Sequence, residues 1–369
     1  MKKIVVLSCL CLLMTGRLGA FQGSFLQFGK NLLANGDYQG ALSQFESFVK
    51  FNPENGEGYY WIGYTLFISK KYQLALDPLK KALEKAPKFS PVYSALGRLY
   101  FENKQYETAL PYLEKSVALR DTNPQTYNCL GMTYFYLGRF ELAVKNISIA
   151  IKMDTTLAEA YCNRGACRYL SQDIAVASKI DKEMAEKDFN KAIQFDPNSE
   201  ISYRNRAFVR LYLGKLPEAE ADVQKAMQLD PDDPGVYYCH ALILHQQKQY
   251  EDALKEFDRS IDMNPARADY FLDRGICKID MGDGNGARID FNKAMQLDKE
   301  KQPLAFLYIA QSYAAEKDKV NMLAYLQSAY KAGLFKNRNY ITILQNDPYC
   351  KYYAKDKEYI NMLSKIKFN

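Results

Sequence analysis

The chain runs to 369 residues, 48% of them hydrophobic and 25% charged, with a net charge of +6. Lys2, Lys3 and Arg17 supply three of those charges, so the rest is close to neutral; it contains no basic run, and no nucleic-acid partner is expected. Two histidines, His240 and His245, stand at a spacing that gives no shared metal face, and no Gly-rich phosphate loop is present, so no metal, cofactor or independent catalysis is expected. The N-terminal segment combines Lys2-Lys3, an apolar run from Ile4 to Met14 and the small pair Gly19-Ala20, the pattern of a signal peptide over residues 1–20. Its apolar run is too short to span a bilayer, and no transmembrane span is expected. Cys9 follows Val6-Leu7-Ser8, a loose likeness to a lipid-attachment site, but too little apolar sequence precedes it. Cleavage near Ala20 and export to the periplasm or envelope are the expectation.

From Gln22 onward one helix-pair pattern recurs nine times at a spacing of 34 residues, lengthened once. Small residues hold two places in it. The first series is Gly29, Gly63, Gly97, Gly131, Gly165, Ala207, Ala241, Gly275 and Ala310; the second is Ala41, Ala75, Ala109, Ala143, Ala185, Ala219, Ala253 and Ala287. In the third unit Tyr93, Leu96, Gly97 and Tyr100 fall on one face of a first helix, a turn follows at Asn103-Lys104, and Tyr106, Ala109, Leu113 and Val117 mark a second helix. Gly97 and Ala109 are small so that the two helices can cross closely. Pro53, Pro87, Pro197, Pro231 and Pro265 end units, whereas Pro78, Pro111 and Pro217 are expected near the starts of second helices.

Repeats 1–4 occupy residues 22–157 and repeats 5–8 residues 158–301. In repeat 5 eight extra residues fall near 171–180, between its two helices. They read as a junction or contact loop, or equally as a tolerated insertion. Residues 302–335 form a divergent ninth repeat with Met322 at the second small place, and 336–369 are expected to cover its exposed apolar face as a C-terminal cap. The repeats are of two kinds. At position 7, repeats 1–4 carry Phe28, Ile62, Leu96 and Leu130, and repeats 5–8 carry Arg164, Arg206, His240 and Arg274. At position 23, Gln44, Pro78, Tyr112 and Asn146 give way to Asp188, Asp222, Glu256 and Asp290. Opposite charges that change together point to pairing inside the fold, with an anion-binding row as the alternative. Cys129, Cys162, Cys167, Cys239, Cys277 and Cys350 lack the spacing of a disulfide framework and read as buried thiols; Cys129 and Cys162 are the one pair to check for a bridge.

The period, the small positions and the closing prolines resemble the tetratricopeptide repeat family, and the leader resembles that of its exported bacterial members. That resemblance implies an all-α fold, a right-handed α-solenoid of about nine helix pairs with a C-terminal helical cap. It also implies a non-catalytic interaction scaffold whose first helices line a concave groove. Carried onto this chain, the groove comprises Tyr60, Trp61, Tyr64 and Phe67 in repeat 2, then Arg98, Phe101, Asn128 and Tyr136 in repeats 3 and 4. Repeats 5–7 add Asn163, Arg204, Asn205, Tyr212 and Tyr238. Asn163 and Asn205 stand where relatives bind a ligand's backbone. The Lys/Asn/Asn/Lys/Arg set that some relatives use for a terminal carboxylate is absent, since Asn128, Met132, Asn163, Ile201 and Asn205 hold those places. The implied partner is a protein or peptide. Alternatives are a glycan or small ligand stacked on the aromatics, or docking of the chain as a subunit of an envelope complex.

Overall fold

The structure, a computed structural model, describes residues 24–170 and 178–367. The leader and residues 171–177 of the insertion lie outside them. Among the described residues every regular element is helical, and no helix is long and apolar enough to cross a membrane. The chain divides after Ser171 into two compact units.

The first unit pairs α1 (24–34) with α2 (Tyr38–Phe51), α3 (Gly56–Ile68) with α4 (Tyr72–Lys85), α5 (Ser90–Glu102) with α6 (Tyr106–Ala118), and α7 (Pro124–Tyr136) with α8 (Phe140–Met153). It ends on α9 (Ala158–Leu170). The second unit opens on α10 (Lys179–Phe195) and pairs α11 (Glu200–Tyr212) with α12 (Leu216–Leu229), α13 (Pro234–Gln246) with α14 (Tyr250–Met263), α15 (Ala268–Asp280) with α16 (Gly284–Leu297), and α17 (Gln302–Ala315) with α18 (Lys319–Lys331). Two further helices, α19 (Arg338–Asn346) and α20 (Lys357–Lys367), follow, with short 3₁₀ turns at Leu334–Lys336 and Cys350–Tyr353.

Local chemistry sets the ends of these helices. Asn55 accepts from the backbone of Glu57 and Gly58, and Asn123 from that of Gln125, so orphan donors of the first turn are satisfied. Each first helix except α9 turns into its partner through one left-handed residue, supplied by Gly36, Lys70, Lys104, Gly138, Gly214, Lys248, Gly282 or Lys317. Within a pair the small positions bring the helices together. A Cβ on Gly97 would lie 2.5 Å from Leu113 Cγ, and Ala109 and Leu113 are fully buried. Phe45, Leu79, Leu113, Ile147, Phe189, Val223, Phe257, Phe291 and Leu326, one per second helix, are fully buried.

One expectation changes on contact with the structure, and two readings left open are narrowed. Pro78 and Pro111 sit inside α4 and α6, not near their starts. Residues Leu74 and Glu107, whose carbonyls lose an N–H partner, are exposed, so water can satisfy those carbonyls and the helices continue. The described end of the insertion is helix: Ser178 caps α10, which has 17 residues against 14 in α2, α4, α8 and α12. Cys129 is a free thiol, so it forms no bridge with Cys162. At the other end Met322 fills the second small place of repeat 9 with no exposure, and Leu344, Cys350, Tyr359, Met362 and Ile366 join it in one buried cluster.

The charge pairing read from the repeats holds the second unit together. Arg206 reaches both oxygens of Asp222 at 2.8 and 2.5 Å and Asn190 at 2.7 Å. Arg274 likewise takes both oxygens of Asp290 at 2.9 and 2.6 Å and Asp258 at 2.6 Å. Arg206 and Arg274 thus each bridge the second helices of two successive repeats, with the aspartate of their own repeat almost fully buried. Arg164, in the first unit, donates to Ser148 at 3.2 Å. His240 takes the same rung between Glu220 at 3.2 Å and Glu256 at 3.4 Å. Burial pulls its pKa down, but the Glu256 and Glu220 carboxylates overcome this and hold it above the ordinary value of 6.5.

A group whose folded pKa is raised contributes stability that is complete below its unfolded pKa and is lost as pH climbs through the folded one. The urea midpoint should therefore fall from pH 6 to pH 9 through this rung. His240→Arg, which restores a permanent cation, should remove that part of the slope; an unchanged slope would contradict the ladder. Relief of the left-handed turn is independent of pH. Lys104, at φ 59°, carries strain that glycine avoids, so Lys104→Gly should raise stability by about 0.5–1 kcal/mol in urea titration.

Candidate binding faces on the first helices

In the first unit successive first helices α3, α5, α7 and α9 pack side by side. Their shared face carries the aromatic residues expected of a groove. On α3, Tyr60, Trp61 and Tyr64 pack on one another, with centroids 5.1 Å (Tyr60–Trp61), 5.6 Å (Tyr60–Tyr64) and 5.9 Å (Trp61–Tyr64) apart. Tyr60 is 8% exposed and meets Phe89 edge-on. Burial pushes its hydroxyl pKa well up, and Tyr64 adds to this. Trp61 is half-buried and already engaged: Phe45 stacks on it at 5.9 Å, the Lys30 ammonium lies 4.9 Å from its ring, and Nε1 donates to Glu57 at 3.1 Å. Lys30 also reaches Glu57 at 2.8 Å. Burial raises the Glu57 pKa, yet the bonds from Lys30 and Trp61 leave it below the usual glutamate value.

The later aromatics gather elsewhere on the face. Phe67 contacts Tyr72, Phe101 contacts Tyr106, and Tyr136 stacks on Tyr106 at 4.4 Å with the rings nearly parallel. Tyr72 and Tyr106 open second helices. Phe67, Phe101 and Tyr136 therefore lie toward the turn edge of the repeats, with Phe67 buried and Tyr136 half exposed. Arg98 lies over the Phe67 ring at 5.1 Å. Asn163 donates to the buried Asn128 at 3.1 Å, joining α7 to α9 through their side chains.

The first helices of the second unit, α11, α13, α15 and α17, also pack side by side, and their face differs. Arg204 is held by Asp233 at 2.5 Å and lies 3.4 Å from Glu200. Gly235 leaves it room, since a Cβ there would lie 2.4 Å from the Arg204 guanidinium. Tyr238 donates its hydroxyl to Asp273 and packs on Tyr270 at 4.6 Å. Asn205 is half-buried on α11, and Tyr212 at its end is exposed beneath the Lys182 ammonium. Glu200, Asp233, Asp269, Asp273 and Asp280 outnumber Arg204, Arg267 and Lys301, so the face is acidic. Burial pushes Glu200 up to about 7, with Arg204 opposing and Asp233 adding. It pushes Asp273 to about 6 against the bond from Tyr238.

Asp273 and Asp280 occupy positions 6 and 13 of repeat 8, so the repeat register that yields the other groove residues also points to them. His245 lies 2.7 Å from Asp280, and Tyr349 donates to the same carboxylate at 2.8 Å. Tyr349 falls outside the periodic part of the chain, so no register points to it.

Tetratricopeptide repeat patterns match residues 26–88 and 205–268, and a second pattern of that name matches 79–110. Over these segments the chain is similar to tetratricopeptide repeats. No curated protein matches the sequence. Among solved structures, the human IFIT1 dimer with m7Gppp-AAAA is 16% identical over 84% of this chain and 72% of its own, with a TM-score of 0.52. A tetratricopeptide repeat protein from Parabacteroides merdae is 19% identical over 66% of this chain and 93% of its own, at 0.48. YrrB, described as having an unusual peptide-binding site, is 22% identical over 55% and 97%, at 0.42. At these identities the likeness extends to the fold alone.

A carboxylate whose folded pKa is raised destabilises the protein as pH climbs from its unfolded value through the folded one. Glu200→Gln should therefore stabilise the chain at pH 8 and make no difference near pH 4, measured as the shift in urea midpoint. Equal effects at both pH values would mean that Glu200 is not ionised at cost beside Asp233.

Proposed function

We propose that the protein is a non-catalytic scaffold that holds a protein or peptide along its first helices, exported to the periplasm or cell envelope of a bacterium. The observation that carries the reading is the face of the first unit, where Trp61, Tyr64, Phe101 and Tyr136 lie in one stack of helices and are only partly covered by their own chain. Rigid aromatic residues of this kind supply contact area at low entropic cost and anchor most interfaces. Arg98, Asn128 and Asn163 place polar groups among these rings, which suits a segment laid across several repeats. Export is supported by Lys2-Lys3, the apolar run to Met14 and Gly19-Ala20.

A glycan stacked on Trp61 is the weaker reading. Phe45 and Lys30 already pack on the indole, and a sugar platform requires an open ring face.

Selection of peptides from a displayed random library tests the proposal. Peptides recovered on the chain should bind at least tenfold more weakly to a Tyr64→Ser, Tyr136→Ser variant whose circular dichroism is unchanged. Binding that ignores both substitutions would remove this face from consideration.

A further inference from the structure

Resting on the peptide-binding reading above, we propose that Arg98 takes the side-chain carboxylate of an acidic residue in an extended peptide laid on the first unit. The other first-helix arginines with described ion pairs are already matched. Arg204 meets Asp233 at 2.5 Å, Arg206 meets Asp222 at 2.5 Å, Arg210 meets Asp222 at 2.8 Å, and Arg274 meets Asp290 at 2.6 Å. Arg98 has a ring beneath it and, among the described residues, no carboxylate within ion-pair distance.

The acids whose charge acts on the same groove residues are committed elsewhere. Glu57 takes the Lys30 ammonium at 2.8 Å and Trp61 Nε1 at 3.1 Å. Asp121, buried, accepts from Ser116 at 2.5 Å, Thr126 at 2.9 Å and the backbone of Asn123 at 2.8 Å. Glu102, one turn along α5, is exposed and does not close an ion pair with Arg98. The next first helix, α7, carries no charged residue from Pro124 to Tyr136. With Lys30 and Glu57 cancelling each other, Arg98 is the one cation without a carboxylate partner on the face spanning α3, α5 and α7, and Glu102 stands exposed at the turn end of α5.

Its setting suits a carboxylate. The guanidinium is half-buried, so part of its hydration is already gone, and the Phe67 ring 5.1 Å away restrains its plane. A planar, pre-oriented fork of donors is the group that binds a carboxylate through two parallel bonds, and an ammonium in its place lacks that geometry. Aromatic neighbours on α3 then supply the contact area that a single ion pair does not.

Calorimetric titration of the full chain with three heptapeptides tests this, with Trp61, the one tryptophan in the chain, as a fluorescent reporter beside the site. The first alternates phenylalanine and glutamate and is capped at both ends. The second has glutamine for glutamate, capped alike. The third is the glutamine peptide with a free C-terminal carboxylate. The glutamate peptide should bind at least tenfold more tightly than either glutamine peptide and shift Trp61 emission. Arg98→Gln should erase the preference, and Arg98→Lys should retain only part of it. Equal binding of the two capped peptides, weakened alike by Tyr64→Ser, would overturn the role of Arg98 and leave the peptide-binding reading standing. Preference for the free terminus would assign Arg98 to a chain end instead and overturn the side-chain form. Failure of all three to bind at millimolar concentration would count against both proposals. Because Arg98 lies at a partly open surface, circular dichroism should be unchanged in both Arg98 variants.

Discussion

The close crossing of two helices over a residue without bulk is the contact on which the fold depends. Gly97 lets Leu113 sit where a Cβ would otherwise be, and equivalent contacts recur at Gly63 with Leu79 and Gly131 with Ile147. Each crossing fixes how the second helix leaves the first, and therefore where the next repeat begins. Neither helix has enough apolar surface to be stable alone, so these crossings and the stacking between repeats form together. The first helices are consequently placed side by side at regular intervals, and what they display on their outer face is free to vary.

The two units use that freedom differently. In repeats 1–4 position 7 is apolar, and Ile62, Leu96 and Leu130 are buried there. In the second unit the same slot holds a cation that clamps two successive second helices. Doublets such as Arg274 with Asp290 and Asp258 add directional bonds that fix the stagger of one repeat on the next, although burying such ions offsets much of the energetic gain. The outer faces follow the same division, with a lone arginine among rings in the first and carboxylates in excess in the second. A single chain thus offers two chemically distinct surfaces on one kind of scaffold.

Most of the architecture was legible from the period because the spacing, the small positions and the charged pairs all repeat. The turn of repeat 3 at Asn103-Lys104 and the Arg206 and Arg274 pairs follow from register alone. Single events were harder to read. Pro78 and Pro111 were expected near helix starts because proline is disfavoured in an interior, but exposure of the preceding turn overrides that preference. Ring packing is also invisible to register: Tyr60 and Trp61 are adjacent on one helix, yet Phe89 and the buried wall of the repeat enclose the first, and Phe45, Lys30 and Glu57 engage the second. Tyr349 has no counterpart in any repeat, so nothing periodic could forecast its bond to Asp280.

That bond changes how the end of the second unit can come apart. In a stack of repeats, each layer touches its immediate neighbours, and the terminal layers fray first. Tyr349 is 69 residues beyond Asp280 and reaches past repeat 9 to repeat 8, where Asp280 is also joined to His245 of repeat 7. The last helix pair is thereby bracketed between its own neighbour and the segment that follows it. Opening of α17 and α18 must break this tie as well as their packing, so their amides should exchange with solvent together with those of repeat 8 and not ahead of them.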